Sequence, residues 1–257
     1  MNLVQSLILG IVEGLTEFLP VSSTFHLILF SQIIGVAQSD YLKMFEVVIQ
    51  FGAVLSLILL FAKTLLTNRH LTLLLLTSFL PTAIIGGLLY HTIKSIFFTN
   101  FTLQIVVFII VALLILIIEY FVKNNTLSLS RNLTNISYGQ ASLIGLFQAL
   151  SVIPGVSRSG SILLGMMTLG YTRSASASYA FLLSIPTIAA ASLLDLYQNR
   201  LLLLSSSYLW QPLMVGFLAA FISSLLVVKW FTKYLAHHNL TIFAYYRLLL
   251  AIILLQL

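Results

Sequence analysis

Four stretches of this chain, Leu71–Tyr90, Phe101–Val122, Ala177–Leu196 and Leu209–Val228, run almost without interruption through apolar side chains. Each approaches or exceeds the roughly 20 residues a helix needs to cross a bilayer. Phe45–Ala62 and Ile242–Leu257 are less pure, because Glu46, Gln50 and Arg247 interrupt them. Together they predict about six helical crossings, since only helices and closed barrels satisfy their backbone in lipid. A barrel would alternate apolar and polar residues, and these runs do not. The fold class is therefore all-α integral membrane protein. Composition agrees, with 60% hydrophobic and 7% charged residues and a mean hydropathy of +1.10, far from the balance of soluble domains.

The absence of cysteine excludes thiol nucleophiles, disulfides and thiolate metal sites. A cleaved leader is a poor reading, because Met1–Gln5 carries no basic residue and Glu13 and Glu17 break the following apolar stretch. The net charge of +6 is scattered over loops, without the basic patch that nucleic-acid binding requires. It suggests topology instead. If Phe45–Ala62 runs inward, Lys63, Arg69, Lys123, Arg131, Arg173, Lys229 and Lys233 collect inside, and only Lys43, Lys94 and Arg200 lie outside. Tyr208, Trp210 and Trp230 fit interfacial anchors at the ends of one span.

The hydrophilic stretch 123–137 divides a single membrane domain, 1–257, near its middle. A shift of 135 positions carries Gly10 onto Gly145, Glu13 onto Gln148, Thr16 onto Ser151, Val21 onto Val156 and Ser22 onto Ser157. Each half then reads as a polar, Gly- and Pro-interrupted segment followed by three hydrophobic spans. The expectation is two inverted repeats, 1–122 and 138–257, whose interrupted segments are re-entrant helix-turn-helix elements meeting near the membrane midplane.

In the first segment Glu13 and Glu17 are four residues apart on one helical face. Burying a carboxylate in a membrane is costly, so the pair is a functional candidate and needs a proton or a cation between its members. Oxygen ligands suit Mg²⁺ or Ca²⁺. Pro20 stops the helix, and Ser22, Ser23 and Thr24 can cap another whose free N–H groups suit a phosphate. His26, three residues past Ser23, is a candidate acid or base, or a structural hydrogen-bonding group. In the second segment, Pro154 and Gly155 open a turn, Ser157 and Ser159 sit where a helix begins, and Arg158 between apolar stretches implies an anion. Carboxylates, a hydroxyl nucleophile, an imidazole and a guanidinium together fit phosphoryl chemistry. Glu46 and Gln50 share a face that could line the pocket, whereas Glu119, Asp195 and Arg247 read as structural.

The runs Glu-Gly-Leu-Thr-Glu-Phe-Leu-Pro-Val-Ser-Ser-Thr at 13–24, Phe-Glu-Val-Val-Ile-Gln at 45–50, Pro-Gly-Val-Ser-Arg-Ser-Gly at 154–160 and Phe-Ala-Tyr-Tyr-Arg at 243–247 resemble the bacterial undecaprenyl-pyrophosphate phosphatases, or bacitracin-resistance proteins. The resemblance spans essentially the whole chain. It implies a multi-pass enzyme of the bacterial plasma membrane, with its active site on the outer side. The expected reaction is hydrolysis of the C55 isoprenoid diphosphate to the monophosphate, recycling the carrier for cell-wall synthesis with a divalent cation. It also implies that bacitracin competes by binding the lipid, not the protein.

Carried over by motif, Glu13 and Glu17 are the acidic, metal-binding pair, and Ser22, Ser23, Thr24 and His26 match the Ser-Ser-Thr-Gly-His run. Ser157, Arg158, Ser159 and Gly160 match the phosphate-binding turn. Phe25 stands where the family pattern has glycine, and a phenyl there is expected to narrow the pocket. Ser23, His26 and an activated water all stand as nucleophiles, with Glu17, His26 and Arg158 as catalytic partners. Metal preference, chain-length range and oligomeric state, a homodimer included, are not legible. The rival from another class is a polyprenyl-phosphate flippase, since inverted repeats with broken helices are transporter architecture. A second rival, a lipid phosphatase with a Ser-Gly-His motif, lacks that motif here.

Overall fold

The computed structural model describes residues 1–96, 101–204 and 207–256, with backbone alone at 90–96 and 207. Among these residues the chain forms helices and no named strand. The α-helices are α1 (Leu3–Thr16), α2 (Ser23–Ile33), α3 (Asp40–Thr67), α4 (Arg69–Ile96), α5 (Phe101–Lys123), α6 (Tyr138–Ala149), α7 (Arg158–Thr168), α8 (Arg173–Gln198), α9 (Arg200–Leu204), α10 (Trp210–His237) and α11 (Thr241–Leu255). Five of them, α3, α4, α5, α8 and α10, are long and apolar enough to cross a membrane, making this a multi-pass membrane protein.

The sixth expected crossing, Ile242–Leu257, folds as the 15-residue helix α11. At 1.5 Å per residue it reaches about 22 Å, short of the roughly 30 Å hydrocarbon thickness. The side chain of Lys94, expected among the outer charges, lies outside the described residues.

Helix starts follow local chemistry. Asn2 with Gln5 and Ser137 with Gln140 form capping boxes that open α1 and α6, and Ser39 and Thr172 cap α3 and α8. Apolar side chains turn outward as they would toward lipid: Leu80, Ile84 and Leu88 on α4 are 56%, 60% and 78% exposed. Small residues take the inside. A Cβ at Gly10 would lie 2.3 Å from the Gly216 carbonyl oxygen, and one at Gly145 2.2 Å from that of Ser78. These glycines let α1 press on α10 and α6 on α4.

Hydroxyls join the helices: Ser78 donates to the Ala141 carbonyl at 2.6 Å, Ser192 to Val47 at 2.8 Å and Ser224 to Ala53 at 3.2 Å. Glu119 on α5 accepts both arms of Arg173 on α8 and the Leu240 N–H ahead of α11, so its buried charge is structural. Asp195 accepts from the Asn199 side chain one turn later at 3.3 Å.

Candidate active site

The helices α1 and α2, of 14 and 11 residues, are joined by a turn around Pro20; α6 and α7, of 12 and 11 residues, are joined by a turn around Pro154. None of the four is long enough to span a bilayer. In both turns the residue just ahead of the second helix is a serine in positive-φ backbone, Ser22 at +66° and Ser157 at +73°. Non-glycine residues rarely adopt this backbone, and such outliers cluster at functional sites. Ser157 accepts from the Gly160 N–H at 3.2 Å and so caps α7. Ser22 makes no side-chain cap bond, so its hydroxyl leaves the leading N–H groups of α2 uncapped.

A cavity of about 150 Å³ opens between the two turns. It is lined by Glu17, Ser22, Ser23 and Thr24 from the first segment and by Ser157 and Arg158 from the second, with Gln50 of α3. These expected residues therefore meet in space. Ser151, Ile153, Pro154, Gly155, Thr187, Ile188 and Ala191 complete the wall. Thr187 was not legible because a hydroxyl within an apolar helix most often bonds its own backbone, as this one does to Leu183 at 2.8 Å. It also donates to the Gln148 side chain, 3.2 Å away.

At the cavity, Glu17 holds two partners. One carboxylate oxygen accepts from the Arg158 guanidinium, 141 residues away in the chain, and the other accepts from the Ser23 hydroxyl. Both ion-pair side chains are largely buried, 5% exposed for Glu17 and 11% for Arg158, where charge-assisted bonds are strong. Arg158 Nε is buried and makes no hydrogen bond. A hydroxyl aimed at a carboxylate beside a guanidinium is the geometry of an activated nucleophile facing an anion receptor.

The remaining expected residues do not line the cavity. Ser159 donates to the Leu19 carbonyl at 2.7 Å, tying the second turn to the first, and Gly160 packs against Ser157 and Pro20. His26 is 2% exposed and has both ring nitrogens engaged. Nδ1 donates to the Ser22 carbonyl at 2.8 Å, which leaves Nε2 to accept from the Tyr246 hydroxyl at 2.7 Å. Phe25 is fully buried away from the cavity, stacked on Phe108 at 4.5 Å and Phe101 at 5.5 Å, so its ring does not narrow the pocket.

Glu13, one helical turn before Glu17, is fully buried beside the Glu17 carboxylate and finds no donor group of the protein for either oxygen, and Glu46 Oε1 is likewise without a donor. Buried orphan carboxylate oxygens call for a proton or a cation, and all-oxygen donors fit Mg²⁺ or Ca²⁺. Among the described residues no three His, Asp or Glu side chains gather as a ready ligand set, so other oxygens must complete any such shell.

Arg247, read from sequence as structural, has partners that the sequence did not reveal. It is fully buried and donates only to backbone carbonyls: Nε to Phe108 at 3.1 Å, Nη1 to Pro20 at 3.0 Å and Nη2 to Gly155 at 2.6 Å. Its guanidinium lies 4.1 Å over the Phe108 ring. The structural role expected for it is met by backbone rather than by a carboxylate.

The chain is similar to known proteins along nearly its whole length. The family profile described as "Bacitracin resistance protein BacA" matches residues 6–253. An undecaprenyl-diphosphatase of Sulfurihydrogenibium sp. (strain YO3AOP1) is 42% identical over 255 residues, covering 98% of each chain. One from Aquifex aeolicus (strain VF5) is 38% identical over 249 residues, covering 97% of this chain and 96% of the relative. One from Wolinella succinogenes is 40% identical over 253 residues, covering 98% and 97%. With a profile match across nearly its whole length and relatives this similar, the chain belongs to the bacitracin resistance protein BacA family.

Proposed function

We propose that this chain is an undecaprenyl-diphosphate phosphatase, converting the lipid diphosphate to undecaprenyl phosphate and inorganic phosphate. The observation that carries the reading is the shared carboxylate of Glu17, which receives the Ser23 hydroxyl on one oxygen and Arg158 on the other inside one cavity. The relatives are undecaprenyl-diphosphatases, which points the same way.

In this mechanism the terminal phosphate enters the cavity. Arg158 and the uncapped start of α2 receive its non-bridging oxygens. Ser23 Oγ attacks the terminal phosphorus, its proton passes to Glu17, and the bond from that phosphorus to the bridging oxygen breaks. Undecaprenyl phosphate leaves with the bridging oxygen. Water then attacks the phosphoseryl phosphorus, the Oγ–P bond breaks, and Oγ regains its proton from Glu17, leaving dihydrogen phosphate. His26 does not reach the cavity, so the relay role passes to Glu17, and His26 instead holds the Ser22 carbonyl. A divalent cation would be held by the orphan oxygens of Glu13, with Glu17 one turn away, and would offset the negative charge of the diphosphate.

The same reading places the enzyme in the bacterial plasma membrane with the site toward the outer side, supported by the loop charges. It treats α1–α2 and α6–α7 as re-entrant pairs of two inverted repeats. In support, α1 packs on α10 as α6 packs on α4, and α10 packs on α3 as α4 packs on α8. The flippase alternative gains nothing from the comparisons.

The test is to incubate detergent-solubilised protein with undecaprenyl diphosphate and Mg²⁺ or Ca²⁺. Equal amounts of undecaprenyl phosphate and free phosphate are expected. Binding or leaflet transfer of the lipid without phosphate release would reject the reading.

A further inference from the structure

The two turns that build the cavity come from opposite halves of the chain, and a phosphate held by both depends on the distance between them. Direct links between the turns are few: the Ser159 hydroxyl on the Leu19 carbonyl, a 3.5 Å approach of Ser157 to that same carbonyl, and the Arg158–Glu17 pair. A third element adds another link. Arg247, midway along α11, directs Nη1 to the Pro20 carbonyl and Nη2 to the Gly155 carbonyl.

These two carbonyls are equivalent. Pro20 stands two residues before Ser22 and Gly155 two residues before Ser157, the serines whose positive-φ backbone starts α2 and α7. Gly155 has a φ of +96°, and a Cβ there would approach the Gln104 carbonyl oxygen to 2.7 Å, so the turn is already held close to α5. One planar guanidinium thus ties corresponding points of both turns together while its Nε anchors them to the Phe108 carbonyl of α5. A guanidinium offers donors in a fixed fork, which a flexible ammonium cannot reproduce.

We propose that Arg247 is a positioning residue for phosphoryl transfer: it sets the spacing of the two turns, and through it the placement of Arg158 relative to Ser23. The inference rests on the phosphatase reading. Arg247 does not line the cavity. Its loss misplaces the reacting groups without removing any of them, and a displacement on the order of 1 Å costs about 100-fold in rate.

The experiment compares purified wild-type protein with Arg247→Lys and Arg247→Gln, measuring phosphate release from undecaprenyl diphosphate, KM and thermal unfolding in the same detergent. At least one variant is expected to unfold within about 4 °C of wild type. In that folded variant kcat falls by about 100-fold while KM stays within about threefold. Lysine, despite its charge, should not restore the rate. A folded variant whose kcat is within threefold of wild type overturns the proposal, as does a loss carried by KM, which would make Arg247 a substrate ligand. Loss of the fold in both variants also overturns it, since Arg247 would then support the bundle as a whole. Wild-type protein that releases no phosphate rejects the phosphatase reading instead, so the two failures are distinct.

Discussion

Arg158 and Glu17 stand 141 residues apart in the chain and share one buried ion pair at the wall of the cavity. The pair does two things at once. It fixes the turn from the second half against the helix end of the first, and it leaves the other carboxylate oxygen of Glu17 to orient the Ser23 hydroxyl. Breaking such a pair by removing one partner leaves a buried charge uncompensated.

Arg158→Ala is therefore expected to lower phosphate release by about 100-fold or more and to destabilise the protein by about 3 kcal/mol. Arg158→Lys keeps the charge and recovers stability more than rate, because a point charge cannot serve carboxylate and phosphate together. Thermal unfolding measured beside kcat separates the two effects.

Glu13 has two buried oxygens without a donor, and the proposed mechanism assigns the divalent cation to them. Chelation of divalent ions is expected to abolish phosphate release, and added Mg²⁺ or Ca²⁺ to restore it. In Glu13→Gln the cation concentration for half-maximal rate should rise roughly tenfold or more. A titration identical to wild type would remove Glu13 from the metal site.

His26 bonds the Ser22 carbonyl and the Tyr246 hydroxyl, and the proposed mechanism uses it as a brace rather than as a proton carrier. His26→Asn, which can still donate an N–H, should keep kcat within about tenfold and leave the shape of the pH–rate profile unchanged. Loss of one limb of that profile would return the base role to the imidazole.

Phe25 fills the space between Phe101 and Phe108 instead of facing the cavity. Phe25→Gly should therefore lower stability by about 3 kcal/mol or more through the void it leaves, with little change in KM. A fall in KM at unchanged stability would show that the ring does obstruct substrate.

The parts of this protein that were legible in its sequence are those where lipid makes polarity costly. Glu13, Glu17 and Arg158 stood out because charge inside apolar sequence needs a reason, and Pro20 and Pro154 marked the breaks through the polar residues around them, since Pro81 and Pro186 lie inside α4 and α8. Long spans such as Phe101–Lys123 were visible from composition, and α11, Thr241–Leu255, follows the apolar run Ile242–Leu257 closely. Gln50 and Glu46 share a face, yet only Gln50 lines the cavity, a distinction of one helical turn that periodicity does not resolve. The direction of the His26 ring was equally hidden, because its two partners come from Ser22 and the distant Tyr246. Arg247 looked like a lone structural arginine, for its partners are carbonyls, which every residue possesses.

The most direct test of the account is the rate of phosphate release from undecaprenyl diphosphate by equal amounts of folded wild-type, Ser23→Ala and Glu17→Gln protein. Wild type should turn over steadily, and each variant should be slower by about 100-fold or more, because one loses the attacking oxygen and the other the base that receives its proton. Release by Ser23→Ala at the wild-type rate would contradict the assignment of Ser23 as the nucleophile.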